Sequence, residues 1–145
     1  MKRGLEFTER MSGTFTPSGG TPRPFAFFAQ ARADSALDYL RRGRAALTGT
    51  LEAEGFADGV PLSGTLWMQP LGRRRVRYDF AFTGNDGNPY RFTGEKRIRW
   101  RDPVASFTRL PGAVTDSAGR EVATCDVRFD LEADFVPFVT SFRPA

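Results

Sequence analysis

At 145 residues the chain has the length of one domain, large enough to bury about two-thirds of its unfolded surface without covalent staples. It has no histidine and a single cysteine, Cys125, which excludes an internal disulfide, a zinc cluster of the usual kind and a histidine-based triad or general base. The net charge of +4 comes from arginine, since lysine stands only at Lys2 and Lys96.

The first residues, Met1 to Glu6, carry charge where a signal peptide needs an apolar run, and no apolar stretch approaches membrane-spanning length. A soluble, cytoplasmic protein is expected. From Leu5 to Phe15 the positions Leu5, Phe7, Met11, Gly13 and Phe15 share one face, and Glu9 falls among them. The segment 16–24, with three prolines and two glycines, reads as a loop. A second strand is expected over Phe25 to Ala33. A short helix follows near 35–43, with Ser35 and Asp38 as a capping box and Gly43 as its stop.

Alternation predicts strands over Ala45 to Phe56 and Leu62 to Gln69, with Trp67 on the outer face. The clearest hairpin runs from Val76 to Ile98 around Asn85-Asp86-Gly87, a three-residue loop with glycine where φ must be positive. Its register sets Phe82 opposite Tyr90, Tyr78 opposite Gly94, and Val76 opposite Lys96. Arg77 then faces Glu95 on the outside, and Gly94 is expected to make room for the Tyr78 ring. The face of Tyr90, Phe92, Gly94, Ile98 and Trp100 is apolar apart from Lys96, which therefore points inward with Glu9. A short strand is expected over Val104 to Leu110, then a polar loop from Pro111 to Gly119, then a strand over Val122 to Leu131 with Cys125 in the core. The tail from Asp134 to Phe142 fits both helical and strand spacing, and Asp134 and Pro137 favour a short helix.

About eight strands with alternating faces can close into a small barrel or split into a two-layer sandwich. Short successive turns favour the barrel. The expected fold is thus all-β: one antiparallel up-and-down, lipocalin-like β-barrel domain over residues 1–145, with one or two short helices.

The expected inner face is aromatic, with Phe7, Phe15, Tyr78, Phe80, Phe82, Tyr90, Phe92, Trp100 and Phe129, interrupted by glycine and alanine. That pattern either fills the lumen or leaves a cavity for one small apolar ligand. An isolated buried charge is too costly to keep, so Glu9 and Lys96 should be paired. They form a structural ion pair or, with the Tyr78 and Tyr90 hydroxyls, the polar groups that orient a ligand. The candidate ligand-binding set is Glu9, Lys96, Tyr78, Tyr90, Phe80, Phe92 and Trp100.

No catalytic residue, metal site or cofactor is expected: the loop 84–88 has turn chemistry without calcium-loop spacing, and no glycine fingerprint for a phosphate or dinucleotide occurs. The basic set Arg73, Arg74, Arg75, Arg77, Arg91, Lys96, Arg97, Arg99 and Arg101 is diluted by Asp79, Glu95 and Asp102. It reads as a solvated face laced with ion pairs, or as a module for an anionic partner. Nucleic acid is not expected.

Phe7-Thr8-Glu9-Arg10-Met11-Ser12-Gly13, Leu47-Thr48-Gly49-Thr50, Tyr90-Arg91-Phe92-Thr93-Gly94-Glu95-Lys96, Asp134-Phe135 and Ser141-Phe142-Arg143 together resemble the β-rich accessory region of bacterial glucose-methanol-choline, cholesterol-oxidase-like flavin oxidoreductases. The dinucleotide-binding glycine motif and the catalytic histidine of that family are absent, so the resemblance implies no flavin chemistry. It implies a domain working beside lipid or sterol metabolism, with a partner enzyme or an apolar ligand. A cofactor-free isomerase or cyclase, with Glu9 as acid or base and Lys96 setting its pKa, is the enzymatic alternative.

Overall fold

The computed structural model of the chain describes residues 5–33, 43–68, 75–97, 108–129 and 143–144. Alternating apolar and polar residues produce eight main strands: β1 (Leu5–Pro17), β2 (Arg23–Ala33), β3 (Arg44–Ala53), β4 (Ala57–Met68), β5 (Arg75–Thr83), β6 (Pro89–Arg97), β7 (Arg109–Asp116) and β8 (Glu121–Phe129). A two-residue strand, β9 (Arg143–Pro144), pairs with the start of β1. Each main strand is antiparallel to the next in sequence, and β1 pairs with both β2 and β8. The sheet therefore closes as an up-and-down barrel, and the sandwich alternative is discarded.

Closure fixes the stagger. Followed once around from Pro17, through Ala123, Phe92 and Gly64, the backbone partners return to Phe7, ten residues earlier on the same strand. With eight strands this shear tilts each by roughly 40° to the barrel axis. Gly13, Gly49 and Gly64 lie where the backbone of the adjacent strand comes close. A Cβ on any of the three would overlap the backbone carbonyl of Asp126, Phe28 or Asp79 on the adjacent strand.

The β5–β6 register is the expected one, with Tyr78 opposite Gly94 and Val76 opposite Lys96. Gly87 at its turn has φ +80°. The segment 111–116, expected as loop, is instead strand β7, with Leu110 and Val114 buried. Likewise β4 begins at Ala57 rather than Leu62. Both segments contain a proline. Pro111 pairs only with β8 and Pro61 only with β3, so each lies where its strand has one neighbour and the missing N–H deprives no second ladder.

Among the described residues the tight turns at 18–22, 54–56, 84–88 and 117–120 lie at one end of the barrel. The strand ends joined by 34–42, 69–74 and 98–107 lie at the other. The expected helices over 35–43 and 134–142 fall outside the described residues, Gly43 excepted. At the hairpin end the Phe56 ring packs against Phe15, Phe82 and Tyr90 with centroids 5.9, 6.2 and 4.7 Å away. Asn85 ties two turns together: its N–H donates to the Phe56 carbonyl at 2.8 Å, its amide donates to Asp58 at 2.9 Å, and its Oδ1 accepts from the Asp58 N–H at 3.0 Å.

Candidate functional site

Above that aromatic floor the inward positions of β2, β5 and β6 carry Phe25, Phe27, Phe80 and Phe92, all buried. Phe80 and Phe92 stack at 4.8 Å, Phe25 and Phe92 at 5.8 Å, and Phe27 meets Phe80 edge-on at 5.2 Å. Rings fill this middle layer. Phe80 and Phe92 are thus wall residues held by each other, and each such contact adds about 0.5–1.5 kcal/mol beyond the area it buries. Phe25 and Phe27 belong to the same cluster although they were not among the expected inward aromatics. Their alternation with Ala26 and Phe28 was the available signal, masked by the exposed Phe28 in the same run.

Towards the end opposite the hairpins, three polar side chains meet inside the barrel. Glu9 on β1, Tyr78 on β5 and Lys96 on β6 are 6%, 1% and 2% exposed. They are the product of strand periodicity: each occupies an inward position that its apolar neighbours fix. Lys96 Nζ donates to the Tyr78 hydroxyl at 3.1 Å, and that hydroxyl donates to Glu9 Oε1. The Lys96 ammonium also lies 5.1 Å from the Tyr78 ring centroid, within cation–π range.

Tyr78 is thus the bridge between the two charges. Its ring rests against Phe27 at 5.9 Å, which joins the polar group to the aromatic layer below. Burial holds the Lys96 pKa below its ordinary value, and the negative charge of Glu9 pulls it back upward. A low-dielectric cage around an ammonium, a phenol and a carboxylate can orient one polar group of a ligand or pass a proton along the Lys96–Tyr78–Glu9 line.

Tyr90 does not join them. Its ring lies in the aromatic floor, stacked on Phe82 at 5.9 Å, while its hydroxyl donates to Asp86 Oδ2 at 2.5 Å beside the hairpin turn. That bond raises the Tyr90 pKa and lowers that of Asp86. The expected role of the Tyr90 hydroxyl at the inner site is therefore corrected: Tyr90 sits at the opposite end. At Gly94, which faces Tyr78 across the ladder, the groups a Cβ would meet first are Leu110 Cδ1 and Phe92 Cζ at 3.0 Å. Trp100 lies outside the described residues.

Cys125 is a buried core residue as expected, with its thiol pushed up to about 12 by burial. Among the described residues no cluster of acidic, histidine or cysteine side chains could hold a metal ion, and no helix is long and apolar enough to cross a membrane. On the outer face Asp79 lies 3.8 Å from Arg77 and 3.4 Å from Arg91, so these two members of the basic set carry ion pairs. Comparison of the chain with protein-family models, with curated proteins and with solved structures yields no match.

Proposed function

We propose that this barrel is a non-enzymatic binding or accessory domain for a small apolar, lipid- or sterol-like ligand, working in the cytoplasm beside a lipid-handling enzyme. The observation that carries this reading is the Glu9–Tyr78–Lys96 chain: three hydrogen-bonded polar groups set into a barrel interior whose surroundings are aromatic and aliphatic. Apolar walls with few convergent polar groups are the usual make-up of a small-molecule site. The ligand would enter from the end opposite the hairpins, where Lys96 stands one residue from the end of β6. Its hydroxyl, ketone or carboxylate would meet Lys96 and Tyr78 while its hydrocarbon lay on the rings. The resemblance to the accessory region of glucose-methanol-choline oxidoreductases points to the same substrate class.

Titration with environment-sensitive fatty-acid and sterol probes tests this. Saturable binding by the wild type that falls about tenfold or more in Lys96→Met is expected. Binding that never rises above background overturns the reading.

The enzymatic alternative, a cofactor-free isomerase or cyclase, is favoured by one feature, the phenol placed between an ammonium and a carboxylate, which is a proton-transfer geometry. Glu9 would take or give the proton, with Tyr78 and Lys96 controlling it. Turnover of candidate isoprenoid or ketosteroid substrates that survives intact in Glu9→Gln discards it. An anion-binding role for the arginine face draws less support, because Asp79 already lies beside both Arg77 and Arg91 and offsets part of their charge. Binding of polyanions that does not weaken with salt discards that third reading.

A further inference from the structure

The outer surface of β2, β3 and β4 differs from the rest of the barrel. Outward positions of β3 read Glu52, Thr50, Thr48, Ala46 and Arg44: an acid at the hairpin end, a base at the other, and three small uncharged residues between. The flanking strands are likewise uncharged at mid-height, with Gln30 and Ser63 beside Thr48 and Pro61 beside Thr50. Two large hydrophobic side chains stand in the same region, Phe28 at 51% and Trp67 at 39% exposed.

Glu54 pairs with Arg23 at 4.0 Å and Asp58 is hydrogen-bonded to Asn85, but other charges at the two ends have no ion pair within the described residues. Among the described residues neither Glu52 nor Arg32 takes part in an ion pair, while Arg44 only lies over Trp67 at 5.9 Å. At the acidic end Glu52, Glu54 and Asp58 border a groove of about 380 Å³ floored by Gly13, Phe25 and Ala26.

We propose that this face pairs with a second copy of the chain in a twofold dimer. An isologous contact must be complementary to itself, and a surface with acid at one end and base at the other meets that requirement under one operation. A twofold axis in the contact plane, running across the strands at the level of Gln30, Thr48 and Ser63, turns each β3 antiparallel to its mate.

Glu52 then meets Arg44 of the other copy, because both lie four residues from Thr48 along the strand. The Arg44 side chain enters the acidic groove, and Phe28 meets the Arg32 guanidinium. Thr48 lies on the axis. Small Thr, Ser and Ala side chains let the two convex walls approach, and Phe28 is the anchor of the kind that dominates such contacts.

Three strands by eight residue steps cover roughly 15 by 26 Å. That places the dimer at the small, weakly associating end of interfaces, dependent on its charged ends and therefore on salt.

Sedimentation equilibrium of the whole chain over a wide concentration range, at low and high salt, tests the proposal. Expected is a reversible monomer–dimer equilibrium that salt weakens. Glu52→Arg should weaken dimerisation about tenfold or more by setting like charges together at both ends, and Thr48→Arg should do so at the axis. The double variant Glu52→Arg/Arg44→Glu should restore it. All three substitutions are on exposed positions, and far-ultraviolet circular dichroism confirms that each folds. A chain that stays monomeric at low salt and high concentration overturns the proposal. So does a dimer indifferent to Thr48→Arg and Glu52→Arg, or one that the double variant fails to recover.

Discussion

The Tyr78 hydroxyl accepts a hydrogen bond from Lys96 and donates one to Glu9, so that a neutral group completes the pairing of two buried charges. In that position the phenol satisfies both partners at once. The bond from Lys96 holds the ammonium 5.1 Å from the Tyr78 ring centroid.

Removing that hydroxyl alone should be expensive. Tyr78→Phe keeps the ring packing on Phe27 but deprives two buried charged groups of a partner, and a loss of about 1–3 kcal/mol is expected. Urea unfolding followed by tryptophan fluorescence measures it, and an unchanged midpoint would contradict the bridging role.

Glu9 and Lys96 should couple strongly. Glu9→Gln or Lys96→Met alone leaves one charge without its counter-ion and is expected to lose roughly 3–5 kcal/mol. The double variant, with no net buried charge to compensate, should lose less than the sum of the two. A double-mutant cycle that closes to zero would show the charges to be independent.

Stability should carry a particular pH signature. Because burial lowers the Lys96 pKa in the folded state, the unfolded chain binds more protons than the folded one between that lowered value and about 10.5. Within this window the Lys96 contribution makes stability rise with pH, opposite in sign to the alkaline loss from the Cys125 thiol, whose folded value lies above its ordinary one. Comparing wild type with Lys96→Met from neutral to alkaline pH isolates the slope: it should be more positive in the wild type.

Cys125 should resist thiol reagents in the native state and react once the chain is unfolded in urea. A thiol pushed up to about 12 in a buried site has almost no thiolate at neutral pH. Labelling at equal rates in native and denatured protein would contradict the core assignment.

Glycines at the close inter-strand contacts should tolerate no methyl group. Gly49→Ala and Gly64→Ala would drive a Cβ into a carbonyl oxygen of the adjacent strand, which cannot rotate away, and a loss of about 3 kcal/mol or more is expected. Gly94→Ala meets side-chain atoms of Leu110 and Phe92 first, at 3.0 Å, and not a backbone carbonyl oxygen, so it should be milder. Thermal unfolding midpoints in that order check the distinction.

Strand periodicity carried most of the fold. A period of two decides which face a residue takes, so Glu9 and Lys96 could be placed inside before any coordinate was known, and the Asn85-Asp86-Gly87 turn fixed the β5–β6 register residue by residue. Periodicity gives the face of a side chain but not its height along the barrel. Tyr78 and Tyr90 therefore looked equivalent, although the stagger sends one hydroxyl to Lys96 and the other to Asp86. β7 was hidden for a different reason: Pro111-Gly112 has turn composition, and only the three-dimensional neighbourhood shows that Pro111 has a partner strand on one side and that Gly112 lies beneath the Phe92 ring. The outer face of β3 was visible as an alternating strand, but its end-to-end charge separation had meaning only once β2 and β4 were set beside it.

The double pairing of β1 has a consequence for how the chain reaches this state. Residues 11–15 bond to β2 on one side and to β8 on the other, though β8 begins more than a hundred residues later. On the ribosome the earlier strand must wait, with one edge open, until nearly the whole barrel has emerged. Final closure is then a long-range event of high contact order, and folding should be slow compared with the local hairpins that precede it.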